Sequence, residues 1–437
     1  MKVNVLSRKL IKPCTQTPSD LRTFKISVID EINPAMNVIR ILYYPSDAVK
    51  GKNISLEEPL SKVLPLFYPI AGRYIKEKHI VDCNDEGAEY VEAEVNCELL
   101  QLISPAQVMV EHLNHLLPLP IGAADEPEDP MLAVQINRFQ CGGLAIGICA
   151  SHRIFDSCSL GIFLKAWANA AIDGGLVICP DFNSPLYFPS ENLASLQYGV
   201  TRTRNNSIIA KRFVFDKNAI STLRERMDPV WRGERPPSRA AVVSALLTQA
   251  LMRADRAKHG KTRASIIGQA INVRERTVPP ISKYACGAWY SMSYIESSAD
   301  ECRVLEHDYQ GMVFKMREVT MQGVKDCERI LSDKEFGRWL LVYSETEVAE
   351  KTYSFDVKSI SVTDWSKFGE YELDFGFGKP IWVSLAEVPL EDFFILMNTK
   401  DNDGIEAWVY LHESDMPYFD QDEHLIKLIH TTDRVFE

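Results

Sequence analysis

The sequence predicts a protein that mixes helices and strands, α/β or α+β in class, with two or three domains. Three observations lead there. The chain has 437 residues, enough for more than one large hydrophobic core. Runs with helical spacing and runs with strand character interleave along its length. No internal repeat or low-complexity tract interrupts them.

Taken in order, residues 55–67 read as a helix. Leu56, Leu60, Val63, Leu64 and Phe67 recur at helical spacing, and Ser55 with Glu58 has a capping-box pattern. Pro65 should kink or end it. Residues 68–73 turn into a strand, and 79–95 read as a hairpin turning at Asn84 to Gly87. Residues 131–152 read as a second hairpin, turning at Cys141-Gly142-Gly143. Its second arm, Leu144 to Ala150, is apolar almost throughout, which predicts burial on both faces. Leu160, Phe163, Leu164, Trp167, Ala168 and Ala171 then mark an amphipathic helix.

From Gly174 to about Asn206 the periodicity dissolves into proline, serine and asparagine, which predicts an interdomain crossover. Beyond it, 211–216 is a strand, 218–227 and 239–254 are helices, and 264–274 and 288–296 are strands. A long helix follows over about 301–329. Residues 379–388, 393–400 and 404–411 read as strands, and 414–429 as the last helix.

A net charge of −12 argues against nucleic acid, which calls for a basic surface. Ten cysteines lack C-x-x-C or zinc spacing, so reduced thiols are expected rather than a disulfide framework or a metal site. No stretch reaches the roughly 20 apolar residues of a membrane span. The first residues lack a signal-peptide core, and the last four are no lipidation or peroxisomal signal. These features predict a cytoplasmic protein with no membrane contact.

The chemistry centres on "ICASHRIFDSCSL", residues 148–160, where a buried strand runs out at His152 and Asp156 follows four positions later. An imidazole with a pKa near 6.5 holds a neutral nitrogen at cellular pH and accepts a proton. Asp156 has two available roles: orienting the imidazole, or pairing elsewhere and shaping the loop. A lone H-x-x-x-D among nine histidines is a weak signal by itself. His112 and His115 read as helix-surface residues, since nothing nearby completes a metal site. The G-x-S-x-G, P-loop and G-x-G-x-x-G patterns are all missing, which leaves direct transfer by a histidine base as the simplest chemistry.

Several segments together resemble the plant BAHD acyltransferases. His152-Arg-Ile-Phe-Asp156 looks like their H-x-x-x-D motif, and Asp374-Phe-Gly376-Phe-Gly378-Lys-Pro like their D-F-G-W-G motif. "LSKVLPLFYPIAGR" (60–73), "NVR" (272–274) and "DGIEAWV" (403–409) fit as well, and the first residues are similar to the alkaloid-acetylating and acylsugar-forming branches. The resemblance implies an α/β fold of two chloramphenicol-acetyltransferase-like domains, each a mixed sheet flanked by helices, with a solvent channel between them. The expected domains are 1–195 with a return segment at about 350–378, a crossover at 196–208, and 209–349 with 379–437.

By the same resemblance, His152 is the general base, and Asp156 turns away to pair with Arg274 of "NVR". Asp374, Gly376 and Gly378 are then structural support. Thr363 and Trp365 of "TDWSKF" match the stretch bordering the acceptor pocket, with core packing the alternative for Trp365. Ser244 and the run Arg253, Arg256, Lys258, Lys261 and Arg263 are candidates for coenzyme A phosphates; a solvated helix end is the alternative. The implied co-substrate is acyl-CoA, with acetyl the expected group, a small-molecule alcohol as acceptor, and no metal or resident cofactor. A monomer is expected.

Two departures stand out. Ser157 replaces the usual glycine, which would strain the loop if the position needs a positive φ. Phe377 replaces tryptophan and lacks the N–H donor. The lead reading is an acyl-CoA-dependent acetyltransferase acting on an alkaloid hydroxyl. The alternatives are an acylsugar acyltransferase using longer or branched donors, and a catalytically silent binding protein.

Overall fold

The protein is described from a computed structural model that covers residues 1–49, 55–103, 108–120, 126–172, 175–191, 193, 207–227, 236–354 and 356–429. The chain forms two compact units. Unit 1 comprises Met1–Asn205, Ser282–Trp289 and Phe368–Pro389; unit 2 comprises Asn206–Ile281, Tyr290–Lys367 and Leu390–Glu437.

Unit 1 contributes β1 (Val3–Ile11), β2 (Thr23–Lys25), β3 (Asn37–Tyr44), β4 (Arg73–Ile75), β5 (Ile80–Asp82), β6 (Ala88–Val95), β7 (Leu132–Phe139) and β8 (Leu144–Ser151). Unit 2 adds β9 (Ile208–Phe215), β10 (Ala264–Asn272), β11 (Tyr290–Ser297) and β12 (Val357–Asp364). The chain then gives β13 (Trp382–Ser384) to unit 1, and β14 (Phe393–Asn398) and β15 (Ile405–His412) to unit 2.

Among the described residues, the main sheet of unit 1 has six strands in the order β1-β6-β7-β8-β3-β13. Only β6 and β7 run parallel in it. A three-stranded sheet, β2-β5-β4, lies in the same unit. Strand β8 sits between two partners, and every one of its residues is buried, as its unbroken apolar character predicts. Two helices of this unit matter below: α1 (Glu57–Val63) and α2 (Ser157–Ala170).

The sheet of unit 2 also has six strands, ordered β11-β10-β12-β14-β15-β9, with β12 parallel to both of its neighbours. The helix α3 (Arg239–His259) ends at Gly260, whose φ of 71° suits a glycine C-cap. Its Val243, Leu246, Leu247 and Leu251 join Ile267, Ile360, Phe394 and Val409 in one buried cluster. Both units thus carry mixed sheets with helices, an α/β architecture.

Several elements differ from the sequence reading. Residues 79–95 are no hairpin: β5 pairs with β2 and β4, whereas β6 pairs with β1 and β7. The intervening turn passes the chain from one sheet to the other. Gly87, at φ 98°, lies so close to β1 that a Cβ would come within 2.3 Å of the Ile11 carbonyl oxygen. Helix α1 is capped at Leu56 without a side-chain bond, so Ser55 and Glu58 form no capping box. Its α-helical turns stop before Pro65, and a 3₁₀ turn covers Tyr68–Ala71.

The long helix expected over 301–329 is two, Ala299–Leu305 and Tyr309–Cys327. Asp308 caps the second by accepting from the Gly311 N–H. The last helix is likewise two short ones, Met416–Phe419 and Glu423–Ile429. The return segment is 368–389 rather than 350–378. Residues 357–364 form the inner strand β12 of unit 2, and β13 pairs with β3 of unit 1. Most of the crossover expected at 196–208 lies outside the described residues, as do the last four residues. All ten cysteines are free thiols. No helix among the described residues is long and apolar enough to cross a membrane.

Candidate active site

His152 directly follows β8, and its backbone is fixed from the segment before β3. Its N–H donates to the Met36 carbonyl at 2.9 Å, and its carbonyl accepts from Asn33 Nδ2 at 3.1 Å. Next to it, the Arg153 guanidinium donates to the carbonyls of Glu31 and Asn33 at 2.9 and 2.7 Å. The Tyr74 ring lies 5.7 Å from the Arg153 guanidinium carbon. On the other side, the Ser151 N–H donates to Met131 O.

The imidazole is half-buried, but its Nδ1 is buried and has no hydrogen-bond partner of ordinary geometry. Burial holds the His152 pKa below its usual 6.5. Its own carbonyl and the charge of Asp156 pull the other way, while Arg153 adds to the depression. The ring is therefore neutral at cellular pH. Since the residue's own carbonyl is the largest influence favouring a proton, Nδ1 suits the N–H tautomer and Nε2 is left to accept.

Asp156 follows His152 by four residues. It is the N-cap of α2, and one carboxylate oxygen accepts from both the N–H and the hydroxyl of Ser159 at 2.7 Å. The Ser159 hydroxyl also receives the Gly287 N–H at 3.1 Å, binding residues 282–289 to this helix. These bonds place Asp156 where the turn after His152 ends and α2 starts.

Ser157 carries no strain. It is the first residue of α2, and it is not among the residues with positive φ. Its hydroxyl accepts from Arg40, which is buried in β3 and also donates to Glu370 Oε1 at 2.8 Å. Arg40, Glu370 and Asn33 escaped the sequence reading. The signal for Arg40 was a lone cation inside the apolar run "NVIRILYY". Asp30 was also missed, although Ser27 and Asp30 stand at capping-box spacing. This buried carboxylate accepts from Ser27, Ser184 and the Ala288 N–H, and burial pushes its pKa up to about 6.

The 374–378 segment is a turn. Asp374 Oδ1 accepts from the N–H groups of Gly376 and Gly378, both at 2.8 Å. Those glycines have φ of 91° and 104°, which side chains with a Cβ rarely adopt. Phe377 is buried edge-on against Tyr44, ring centroids 4.8 Å apart, so an aromatic body fills the position without an N–H donor.

The remaining sequence candidates lie in unit 2. Arg274 is buried, and Asn272 Oδ1 accepts from its backbone N–H and guanidinium, both at 3.1 Å. Thr363, near the end of β12, and Trp365 just beyond it are both half-buried; the Trp365 N–H donates to Leu396 O. Ser244 is buried on α3. All five cations proposed for phosphates carry carboxylate partners. Arg253 pairs with Asp422, Arg256 with Glu306, Lys258 with Asp415, Lys261 with Asp356, and Arg263 with Asp255 and Asp356. An incoming phosphate would have to compete with those carboxylates. No cluster of metal-ligating side chains occurs among the described residues.

A family model described as the Transferase family matches residues 1–426. The chain is 36% identical to pelargonidin 3-O-(6-caffeoylglucoside) 5-O-(6-O-malonylglucoside) 4'''-malonyltransferase of Salvia splendens, over 97% of this chain and 98% of that one. It is 31% identical to stemmadenine O-acetyltransferase of Catharanthus roseus, over 96% and 97%. In structure it is similar to the crystal structure of vinorine synthase, with a TM-score of 0.82, 30% identity and 98% of each chain covered.

Proposed function

The chain belongs to the BAHD transferase family, the acyl-CoA acyltransferases of plant specialised metabolism, and on that premise we propose that His152 is the general base that moves an acyl group from coenzyme A to an alcohol. The observation that carries this reading is the geometry of His152 at the end of β8: its backbone is held on both sides, burial keeps its pKa below the usual value, and Asp156 caps the helix that follows.

In the proposed reaction, Nε2 takes the proton as the hydroxyl oxygen attacks the thioester carbonyl carbon. The C–O bond forms and the carbonyl electrons move to oxygen. As they return, the C–S bond breaks, and the imidazolium gives its proton to the departing thiolate. The products are an ester and free coenzyme A, with no acyl group left on the enzyme. A positioned base supplies roughly 10²–10⁴-fold in such a step.

Turnover requires the neutral ring. As pH falls through the His152 pKa the base is protonated and rate is lost, so kcat/KM should rise with pH and reach its plateau by about neutrality. Because burial lowers that pKa, half-maximal rate should lie below pH 6.5. Initial rates of thiol release across pH check this.

For the donor, we read acetyl-CoA with an alkaloid-type alcohol first, supported by the likeness to stemmadenine O-acetyltransferase. A malonyl donor is the second reading, favoured by the Salvia splendens relative. The two differ by one carboxylate, which needs a cation or a solvated position in the pocket. Acetyl-CoA and malonyl-CoA supplied separately over a panel of alkaloid and glycoside alcohols, with mass detection of the esters, separate them. The lead reading expects acetyl esters of alkaloids; malonyl esters of glycosides alone would replace it.

A further inference from the structure

We infer that Asn33 is a positioning residue for the base: its amide takes up the His152 carbonyl, which fixes the backbone that carries the imidazole and tempers that carbonyl as an acceptor for the ring's own N–H. This rests on the reading of His152 as general base.

The geometry is reciprocal. The side chain of Asn33 donates to the carbonyl of His152 at 3.1 Å, while the carbonyl of Asn33 accepts from the side chain of the next residue, Arg153, at 2.7 Å. Glu31 O takes a further bond from Arg153, and Met36 O takes the His152 N–H. Two consecutive residues of the loop are thus tied to residues 31–36. Asn33 is 2% exposed, and Pro34 follows it, which restricts its backbone to extended conformations. The Asn33 side chain is thus shielded, and its hydrogen bond meets little competing water.

The chemical consequence lies in the shared carbonyl. The His152 carbonyl favours a proton on the residue's own ring, whose Nδ1 is buried with no other hydrogen-bond partner. Donation from Asn33 draws electron density from that oxygen and occupies one of its lone pairs. Without Asn33 the oxygen becomes a stronger acceptor for Nδ1–H, which favours the imidazolium and frees the ring to tilt toward its own backbone. The charged groups acting on the ring within this unit are Asp156 and Arg153, and a substitution at Asn33 changes neither of their charges.

The test compares Asn33→Ala with the parent enzyme, full chain, in steady-state thiol release across pH 5–8. The expected result is a kcat about ten-fold lower with KM for donor and acceptor within about two-fold. The acid limb should move up by about half a pH unit, the scale of one neutral hydrogen bond. Should Asn33→Ala not fold, Asn33→Leu keeps the side-chain volume without a donor and carries the same readout. A folded variant with unchanged kcat and acid limb overturns the inference, and so does a loss confined to KM. His152→Ala run in parallel separates the two claims: if it turns over normally, the base assignment itself has failed.

Discussion

His152→Ala should lower kcat by at least about 100-fold while the protein stays folded. The lower bound is the contribution of a single positioned base; binding and any oxyanion donors survive the substitution. Folding should survive because the loop is held through backbone groups: His152 N–H to Met36 O, and His152 O to Asn33. Neither bond uses the imidazole. The ring also leaves a buried Nδ1 without a partner, so its removal breaks no internal hydrogen bond there. Thermal melting beside kcat separates the two effects. Near-normal turnover would reject the base.

Arg40→Met should be the most destabilising of the single substitutions considered. The Arg40 side chain is 1% exposed and Glu370 6%, and the pair is 2.8 Å apart. Removing the cation leaves a buried carboxylate uncompensated, at a cost of about 3–5 kcal/mol. It also removes the donor to Ser157 at the start of α2. The double variant Arg40→Met/Glu370→Leu should recover much of the loss, because removing both charges also removes the desolvation penalty. Thermal and urea melts of the singles and the double measure this. Purely additive losses would show that the pair carries no coupling.

The sequence made some features plain and hid others for identifiable reasons. The β7–β8 hairpin was legible because Gly142 and Gly143 mark its turn and the arm behind them is apolar throughout. The α2 stripe was legible from its 3.6-residue spacing. Strand β3 was not, because Arg40 and Asn37 interrupt its run; both are buried, and only the fold supplies the Glu370 and Ser157 that satisfy the arginine. The 79–95 segment misled because a turn sequence says where the chain bends and nothing about which sheet it bends toward.

At the site, the motif marked His152 and Asp156, and the spacing left the role of Asp156 open between orienting the ring and shaping the loop. The Ser159 bonds favour the second. Asn33 could not be found from sequence, because its function depends on a carbonyl 119 residues away. The partners of the basic run 253–263 were equally hidden. Asp255 stands within the run and pairs with Arg263, but Glu306, Asp356, Asp415 and Asp422 are brought to the cations by the fold.

The most direct measurement of the central claim is the pH dependence of residual turnover in His152→Ala against that of the parent, from pH 5 to 8 with donor and acceptor saturating. If the imidazole is the base, the parent shows an acid limb below pH 6.5 and the variant's remaining activity lacks it. The same limb persisting in the variant would assign the titrating base to another group.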